Sequence, residues 1–299
     1  MSQVATNRDL VAERAERHFG EQATPVQVEI AGQSDRGLVR ETNEDHFAAV
    51  RRRRARTILA SNLPDDFPHD SVEDAYALVV ADGLGGQACG ELASLLALCV
   101  GWDLGSREIN WLFKVDAGEI PEILEKLDLY PRLIQKGLEQ QIDANPDLTG
   151  MATTFTGMYT VGLEAFLTHV GDSRAYLYRD KALQLLTRDQ TLREDLIRAG
   201  IASDSAYLKR AHHILTGCLG DTSNKINPVT AHVELKYGDQ LLLCTDGLSN
   251  MVDDSGLVRC LASASTAEEA CRKLVDAAME RGGKDNITVI VARYQEPKK

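Results

Sequence analysis

Several common features are missing from this 299-residue chain. No run of apolar residues is long enough to span a bilayer. The first residues are polar and carry charges of both signs, so they lack the apolar core of a signal peptide. We therefore expect a soluble, cytoplasmic protein with no membrane partner.

Basic charge is also scarce. The chain has 33 Lys and Arg residues against 45 Asp and Glu residues, which gives a net charge of −12. Because a phosphate backbone is bound by a positive surface, we expect no nucleic-acid partner. An acidic balance is compatible with a cation site made of carboxylates.

Paired cysteines are absent too. None of the six cysteines has CxxC spacing, and most lie inside apolar segments. This pattern favours reduced thiols in the core over a zinc site or a disulfide framework.

The chain contains two similar units in which a short apolar run ends in an acidic turn. Residues 78–81 (LVVA) precede Asp82 and a glycine-rich turn, and residues 240–244 (QLLLC) precede Thr245, Asp246 and a glycine. Short apolar runs of this kind predict buried strands. After the first unit, residues 91–100 are apolar almost all round and predict a helix buried in the core.

More acidic residues stand where strands are predicted to begin. Asp285 precedes a closing strand, and Glu44 and Asp45 precede Phe47. Carboxylates that converge repel one another, so protons, cationic side chains or metal ions must lie between them. With His46 as the one adjacent histidine, oxygen ligation favours Mg²⁺ or Mn²⁺.

Two such cations with shared carboxylates are able to activate a bridging water for phosphoryl displacement. Arg40 lies four residues before Glu44 and would supply a bidentate contact to the phosphate. The residues themselves therefore suggest a phosphohydrolase.

The first half of the chain gives further predictions. Residues 1–22 form an N-terminal extension, either a docked helix or a disordered tail. A half-buried strand is expected at residues 26–30, and the arginines of 51–56 indicate an edge strand or an exposed loop. That basic run is either a solvated surface or a docking patch for an acidic partner. Residues 63–74 are expected to be a loop.

The 103–147 region is predicted to be irregular up to Gly118 and then helical. Pro121 suits a first helical turn, and the apolar stripe that follows predicts a helical hairpin or a kinked helix, with a break at Pro131. We expect this stripe to pack in the core or to form a lid over the core, rather than to bind a partner.

The second half is richer in strands. Residues after Met151 predict an antiparallel meander whose turns lie at Gly171-Asp172-Ser173 and at Arg179-Asp180. Capping pairs predict helices after Thr191 and after Thr266, and another helix is expected near Asp254. The pattern of residues 201–225 predicts a mobile surface segment. No linker divides the strand-rich parts, so a single domain is favoured.

Six motifs in order carry a family resemblance: SDRGLVRETNED, ADGLGGQACGELAS, MATTFTG, THVGDSRAYLYRD, LLLCTDGL and GGKDNITVIV. From about Ser34 to Tyr294 the chain resembles the metal-dependent protein serine/threonine phosphatases of the PPM or type 2C family, in its bacterial form. The resemblance implies an α+β fold, a four-layer αββα sandwich of two antiparallel β-sheets flanked by helices. It also implies a phosphatase domain at 23–297 with insertions near 51–74 and 101–147.

The resemblance further implies a cofactor, an activity and partners. The cofactor is Mn²⁺ or Mg²⁺, as two ions with a possible third. The activity is hydrolysis of phosphoserine and phosphothreonine in proteins by a water that the dinuclear metal activates, without a covalent intermediate. The partners are phosphorylated proteins and a cognate protein kinase, and a monomer is expected. The alternative is a non-catalytic, phosphoprotein-binding or regulatory protein of the same fold.

Residue roles follow from the same resemblance. It implies that Asp82 bridges the two metals, that the Gly83 carbonyl and Glu44 bind one ion, and that Asp246 and Asp285 bind the other. It further implies that Asp172 holds a third ion together with Asp246, and that Asp45 orients metal-bound water. Arg40 would bind the substrate phosphate, and Asn286 would support Asp285. A hairpin turn held by side-chain hydrogen bonds is the alternative for Asp172 and Ser173.

The chain departs from the family pattern at two places. Leu84 stands where many relatives have a histidine, so protonation of the leaving group would fall to metal-bound water. Asp189-Gln190-Thr191 stands where Asp-His-Ser is frequent, so any role of that histidine is absent.

Overall fold

The structure, a computed structural model, describes residues 25–57, 59–60, 62, 71–85, 89–107, 117–201, 211, 214–221 and 226–297. The predicted N-terminal extension lies outside these ranges. Within them, two antiparallel β-sheets pack face to face, with helices on both outer faces. This arrangement confirms the predicted αββα sandwich.

The first sheet has the strand order β1-β11-β10-β7-β8. Its strands are β1 (Gln27–Asp35), β7 (Arg174–Arg179), β8 (Ala182–Leu185), β10 (Gln240–Cys244) and β11 (Ile287–Gln295). The half-buried strand predicted at 26–30 is therefore β1.

The second sheet has the order β2-β3-β5-β6-β9, and a short strand β4 pairs with the end of β3. Its strands are β2 (Asp45–Arg56), β3 (Ser71–Leu84), β4 (Ala152–Thr153), β5 (Phe155–Val161), β6 (Glu164–Val170) and β9 (Val229–Glu234). The arginine run forms part of β2 at the edge of this sheet, which is the first of its two predicted alternatives, an edge strand or an exposed loop.

Six α-helices occur in the described ranges. They are α1 (Cys89–Arg107), α2 (Ile120–Ala144), α3 (Leu192–Arg198), α4 (Asp246–Ser249), α5 (Asp254–Ser263) and α6 (Ala267–Glu280). Helices α5 and α6 cover the first sheet, whereas α1 and α2 cover the second.

Strand β10 shows how the alternating pattern builds the layers. Leu241 and Leu243 enter the apolar core between the two sheets, whereas Leu242 and Cys244 pack against α5 and α6. All four side chains are fully buried, because successive residues of a strand face opposite sides and both sides are covered.

The predicted meander is wrong at its first turn. Strand β6 belongs to the second sheet and β7 to the first, so the turn at residues 171–173 crosses from one sheet to the other. A three-residue turn is compatible with a hairpin within one sheet and with a crossing between two sheets. The pairing of β7 with β10 places β7 in the first sheet, so the chain crosses. The turn at Arg179-Asp180 does join paired strands.

Three other local predictions need correction. Residues 71–74 are in β3 rather than in a loop, paired with residues 53–56 of β2. Helix α1 continues to Arg107, beyond the predicted end at residue 100, and its outer side exposes Leu95 and Trp102. Helix α2 runs through Pro131 as one helix, so the helical hairpin is excluded.

The cysteines are less uniform than predicted. All six are free thiols, but Cys244 and Cys271 are buried, Cys99 is exposed, and the other three are partly buried. In the part of the chain that the structure describes, no helix is long and apolar enough to cross a membrane.

Candidate active site

One cavity at the edge of the sandwich collects most of the predicted site residues. Asp82 lies near the end of β3, Asp246 is the first residue of α4 and lies two residues after the end of β10, and Asp285 shortly precedes β11. The cavity has a volume of about 370 Å³. It is lined by Arg40, Glu41, Thr42, Glu44, Asp82, Gly83, Leu84, Gly85, Asp172, Leu215, Asp246, Asp285 and Asn286.

The backbone at Asp82 is held by two threonines, Thr153 of β4 and Thr154 directly after it. The amide of Asp82 donates a hydrogen bond to Thr154 Oγ1 at 2.9 Å. Its carbonyl accepts hydrogen bonds from Thr153 Oγ1 at 2.8 Å and from the Thr154 amide at 2.9 Å. Asp82 therefore projects from a fixed backbone.

Two glycines allow β3 to pack directly against the start of α1. A Cβ at Gly83 would lie 2.1 Å from the Gly90 carbonyl oxygen, and a Cβ at Gly90 would lie 2.8 Å from Glu44 Oε2. Gly83 has no room for a side chain, because backbone atoms lie in the way, and a Cβ at Gly90 would push the Glu44 carboxylate aside. The Gly83 amide donates to the Glu44 carbonyl at 3.1 Å, which connects the two cavity segments.

Asn286 holds the loop that carries Arg40 and Glu44. Its Oδ1 accepts a hydrogen bond from the Glu44 amide at 2.9 Å, and its Nδ2 donates to the carbonyls of Arg36 at 2.9 Å and Thr42 at 2.8 Å. Its own amide donates to Asp285 Oδ1 at 2.9 Å. The resemblance implied that Asn286 supports Asp285; in the structure only the Asn286 backbone amide contacts Asp285, whereas the side chain holds the 36–44 loop.

Asp45 lies below the cavity and is not among its lining residues. Its side chain is 4 % exposed, and Thr245 Oγ1 donates a hydrogen bond to its Oδ2 at 2.8 Å. Oδ1 is buried without a protein hydrogen-bond partner. An unpartnered, buried carboxylate oxygen is costly unless a water, a proton or a cation satisfies it.

The carboxylates of the site are crowded and largely shielded from solvent. Burial is the main cause that raises the pKa of Asp45 to about 7, of Asp246 to about 6 and of Asp172 to about 8. Burial and four neighbouring acidic residues raise the pKa of Asp82 well above its usual value. The cluster therefore retains protons at neutral pH unless positive charge is supplied.

Arg40 supplies positive charge at one side of the cluster. Its Nε lies 2.8 Å from Asp285 Oδ1, and its Nη2 donates to Asp285 Oδ2 at 2.8 Å. The hydrogen bond to Asp285 raises the pKa of Arg40, and Glu44 and Asp82 act in the same direction. The residue expected to bind phosphate thus makes a bidentate contact with a predicted metal ligand.

Asp172 lies in the turn between β6 and β7. Gly171 has φ +116°, and a Cβ there would lie 2.6 Å from Thr154 Cγ2, so the turn requires glycine. Ser173 Oγ and Thr154 Oγ1 are 2.8 Å apart, within hydrogen-bond distance. Thr154 therefore contacts both the Asp82 backbone and the Asp172 turn.

Sequence reasoning missed some residues around the cavity. Glu41, Thr42 and Leu215 line it, and Thr245 contacts Asp45 below it. Glu41 and Thr42 lie within the first quoted motif, but residue type alone did not distinguish them. Leu215 lies in the segment predicted to be a mobile surface, yet Leu219 of that segment is fully buried and pairs with Thr153.

The donor set fits hard divalent cations. The cavity offers carboxylate and backbone oxygens, and Asp45 Oδ1 adds an unpartnered buried oxygen behind them. In the described ranges, no three acidic, histidine or cysteine side chains are placed to hold one ion as they stand.

Known proteins share both the sequence and the fold. The family model described as "Protein phosphatase 2C" matches residues 133–287. The chain is 34% identical over 263 residues to the serine/threonine protein phosphatase PstP of Mycobacterium tuberculosis, covering 88% of this chain and 44% of that protein. The chain thus spans less than half the length of this relative.

A relative of similar length also matches. The serine/threonine phosphatase stp of Listeria monocytogenes is 31% identical over 268 residues, covering 86% of this chain and 92% of that protein. Among solved structures, the M. tuberculosis phosphatase PstP/Ppp has a TM-score of 0.71 at 32% identity, covering 91% of this chain and 100% of that one.

A structure of the PstP catalytic domain in complex with two manganese ions has a TM-score of 0.70 at 31% identity, with 91% of this chain and 100% of that chain covered. These matches agree with the six ordered motifs and with the two-sheet architecture. The chain belongs to the protein phosphatase 2C family.

Proposed function

We propose that this chain hydrolyses phosphoserine and phosphothreonine in proteins, with divalent cations held by the acidic cavity. The observation that carries the proposal is the convergence of Glu44, Asp82, Asp172, Asp246 and Asp285 from five separate places in the chain on one cavity. The manganese-bound relative supports the choice of Mn²⁺, and Mg²⁺ has the same preference for oxygen ligands.

The proposed ligands are those that the resemblance implied. Asp82 would bridge two ions, with Glu44 and the Gly83 carbonyl on one and Asp246 and Asp285 on the other. Asp172 and Asp246 would hold a weaker third ion. When bound, the two ions would supply an activated water and neutralise charge on the phosphoryl group during an in-line displacement without a covalent intermediate.

The chain's own residues supply the remaining functions. Released from Asp285, the Arg40 guanidinium would bind two oxygens of the substrate phosphate, because its planar fork suits bidentate recognition. Asp45, with Oδ1 free and Oδ2 held by Thr245, would accept a hydrogen bond from water at the cavity floor. Leu84 has no proton to give, so it contributes an apolar boundary beside Asp82.

The biological setting is part of the same proposal. We infer a single catalytic domain at residues 23–297, with a cognate kinase as its functional counterpart and a monomer as the active form. The six free thiols support a reducing, cytoplasmic location. In this structure the 51–74 insertion contributes to β2 and β3, and the 101–147 insertion contributes the end of α1 and all of α2.

The test is hydrolysis of a phosphothreonine peptide and of p-nitrophenyl phosphate by the purified chain. Each assay is run in EDTA and then with added Mn²⁺ or Mg²⁺. We expect activity on both compounds only with metal, and none in Asp82→Asn. The matched control is Asp180→Asn, because Asp180 is exposed at the β7–β8 turn and its φ of 51° is one that asparagine tolerates.

Other results would contradict the proposal. Full activity in EDTA, or undiminished activity in Asp82→Asn, would exclude the metal-dependent mechanism. Metal binding by calorimetry without hydrolysis of either compound would instead favour the non-catalytic, phosphoprotein-binding alternative.

A further inference from the structure

Gln190 makes hydrogen bonds to three separate parts of the chain. Its amide donates to the Gly171 carbonyl at 2.7 Å, and its carbonyl accepts from the Thr216 amide at 2.8 Å. Its side-chain Oε1 accepts from the Gly171 amide at 3.2 Å, and its Nε2 donates to the Asn227 carbonyl at 2.9 Å. The residue is 9 % exposed, and its side-chain contact with the Gly171 amide is buried.

The polarity of the two side-chain contacts explains why a glutamine suits this position. The Gly171 amide requires an acceptor and the Asn227 carbonyl requires a donor, so the orientation of the side-chain amide is determined by backbone groups. Glutamate would lack the donor, and methionine would lack both strong groups. Loss of the acceptor would leave the buried Gly171 amide without this partner, and loss of the donor would remove the link to the Asn227 carbonyl.

Gly217 is fitted to the same side chain from the other side. A Cβ at Gly217 would lie 1.9 Å from Gln190 Oε1 and 2.8 Å from its Cδ. Gly217 therefore packs directly on the Gln190 amide. We call residues 214–221, which include Gly217, the wall segment. Leu215 of this segment lines the cavity, and Thr191 pairs with it through an isolated bridge.

The wall segment is held at its other end by a second buried glutamine. Gln135 of α2 accepts a hydrogen bond from the Gly220 amide at 2.7 Å and donates to the Asp221 carbonyl at 3.2 Å. Gln135 shares the wall segment with Gln190, but its hydrogen bonds go to Gly220, Asp221 and Glu139 rather than to Gly171. The two glutamines are thus natural comparison sites.

We propose that Gln190 is a positioning residue that couples the Asp172 turn to the wall segment. It thereby sets the distance between the side of the cavity that carries Asp172 and the side that carries Leu215. Gly171 immediately precedes Asp172, and Thr216 immediately follows Leu215. Both backbone neighbours bond to Gln190. This inference rests on the proposed function for its effect on catalysis, but not for its effect on local structure.

The structural test uses hydrogen–deuterium exchange of the metal-free protein. In Gln190→Met we expect exchange about tenfold faster at the Gly171 amide, because it loses a side-chain hydrogen bond worth roughly that factor. Exchange in the wall segment should also become faster, because Gly217 loses its packing against the side-chain amide. In Gln135→Met only the wall segment should change. Gln184→Met, on the exposed strand β8, should change neither.

The kinetic test follows kcat/KM for a phosphothreonine peptide against the Mn²⁺ concentration. Gln190→Met should lower kcat/KM about tenfold and shift the Mn²⁺ dependence to higher concentration, whereas Gln135→Met should leave the Mn²⁺ dependence unchanged. If Gln190→Met does not fold, Gly217→Ala disturbs the same contact from the wall segment and should give the same two effects.

Unchanged exchange at residues 171–173 in both Gln190→Met and Gly217→Ala would overturn the proposal. An equal Mn²⁺ shift in Gln135→Met would also overturn it, because the effect would then reflect general loosening. An inactive wild-type chain would defeat the proposed function alone, because the exchange pattern would still test the coupling.

Discussion

Arg40 and Asp285, which are 245 positions apart in sequence, form a bidentate ion pair at the edge of the candidate active site. The Arg40 side chain is 52% exposed and that of Asp285 is 33% exposed. The pair joins the proposed phosphate ligand to a proposed metal ligand. An ion that binds Asp285 would displace the guanidinium and make it available to phosphate.

Replacement of Arg40 by alanine should therefore have opposite effects on two ligands. We expect Mn²⁺ to bind at least as tightly, because a competing cation has been removed from Asp285. Phosphate binding should weaken about 10- to 100-fold, because a charged bidentate contact is lost. Calorimetry with Mn²⁺ and inhibition by inorganic phosphate measure the two effects, and weaker Mn²⁺ binding would contradict this account of the pair.

Asparagine at Asp82 or at Asp246 should abolish turnover and also stabilise the metal-free protein. Activity should fall about a thousandfold or more, because charge stabilisation by the metal is lost. Removing one of several repelling, buried acidic groups should raise the melting temperature in EDTA by about 3 °C. Thermal unfolding compares each variant with Asp180→Asn, and a marked fall in melting temperature would argue against mutual repulsion in the site.

Metal binding should release protons and strengthen as the pH rises. The raised pKa values of Asp246, Asp45 and Asp172, about 6, 7 and 8, mean that protons compete with the cation at neutral pH. Apparent Mn²⁺ affinity should therefore increase between pH 6 and pH 8. Calorimetry in buffers of different ionisation enthalpy should detect about one proton released at pH 7, and a pH-independent affinity would contradict the raised pKa values.

The same pKa values predict the stability of the metal-free protein. Its folded state binds more protons than its unfolded state above the usual carboxyl pKa of 3.8. The contribution of these groups to the free energy of unfolding should therefore decrease as the pH rises from about 4 through 8. Denaturant titrations in EDTA measure this slope, and saturating Mn²⁺ should reduce or reverse it.

His169 should produce a pH dependence of the opposite sign. It is fully buried, contacts Thr156 Oγ1 at 2.9 Å and the Arg188 carbonyl at 3.1 Å, and burial lowers its pKa to about 4. Because the unfolded pKa is near 6.5, its contribution is complete above pH 6.5 and is lost as the pH falls toward 4. That loss amounts to at most about 3 kcal/mol.

A His169→Gln variant isolates this contribution. The difference in unfolding free energy between wild type and variant should be constant above pH 7 and should shrink between pH 6.5 and pH 4. A difference that does not change with pH would show that His169 does not titrate in this range.

Much of the acidic site was predictable because its residues stand beside strong local signals. Apolar runs identified β3, β10 and β11. An acidic residue beside such a run lies at the end of a strand, whatever the position of that strand in the sheet. The capping residues Thr191 and Thr266 likewise mark helix starts that depend on local hydrogen bonds.

The tertiary structure alone decided how these pieces meet. The 171–173 turn has no local signal for crossing between sheets, because that path follows from the pairing of β7 with β10 across 60 or more residues of chain. Asp45 has the same residue type as the acids lining the cavity, yet packing of the two sheets buries it below them. Gln190 and Gln135 look like ordinary polar residues in the sequence. Their roles depend on backbone groups of distant segments, which no local pattern encodes.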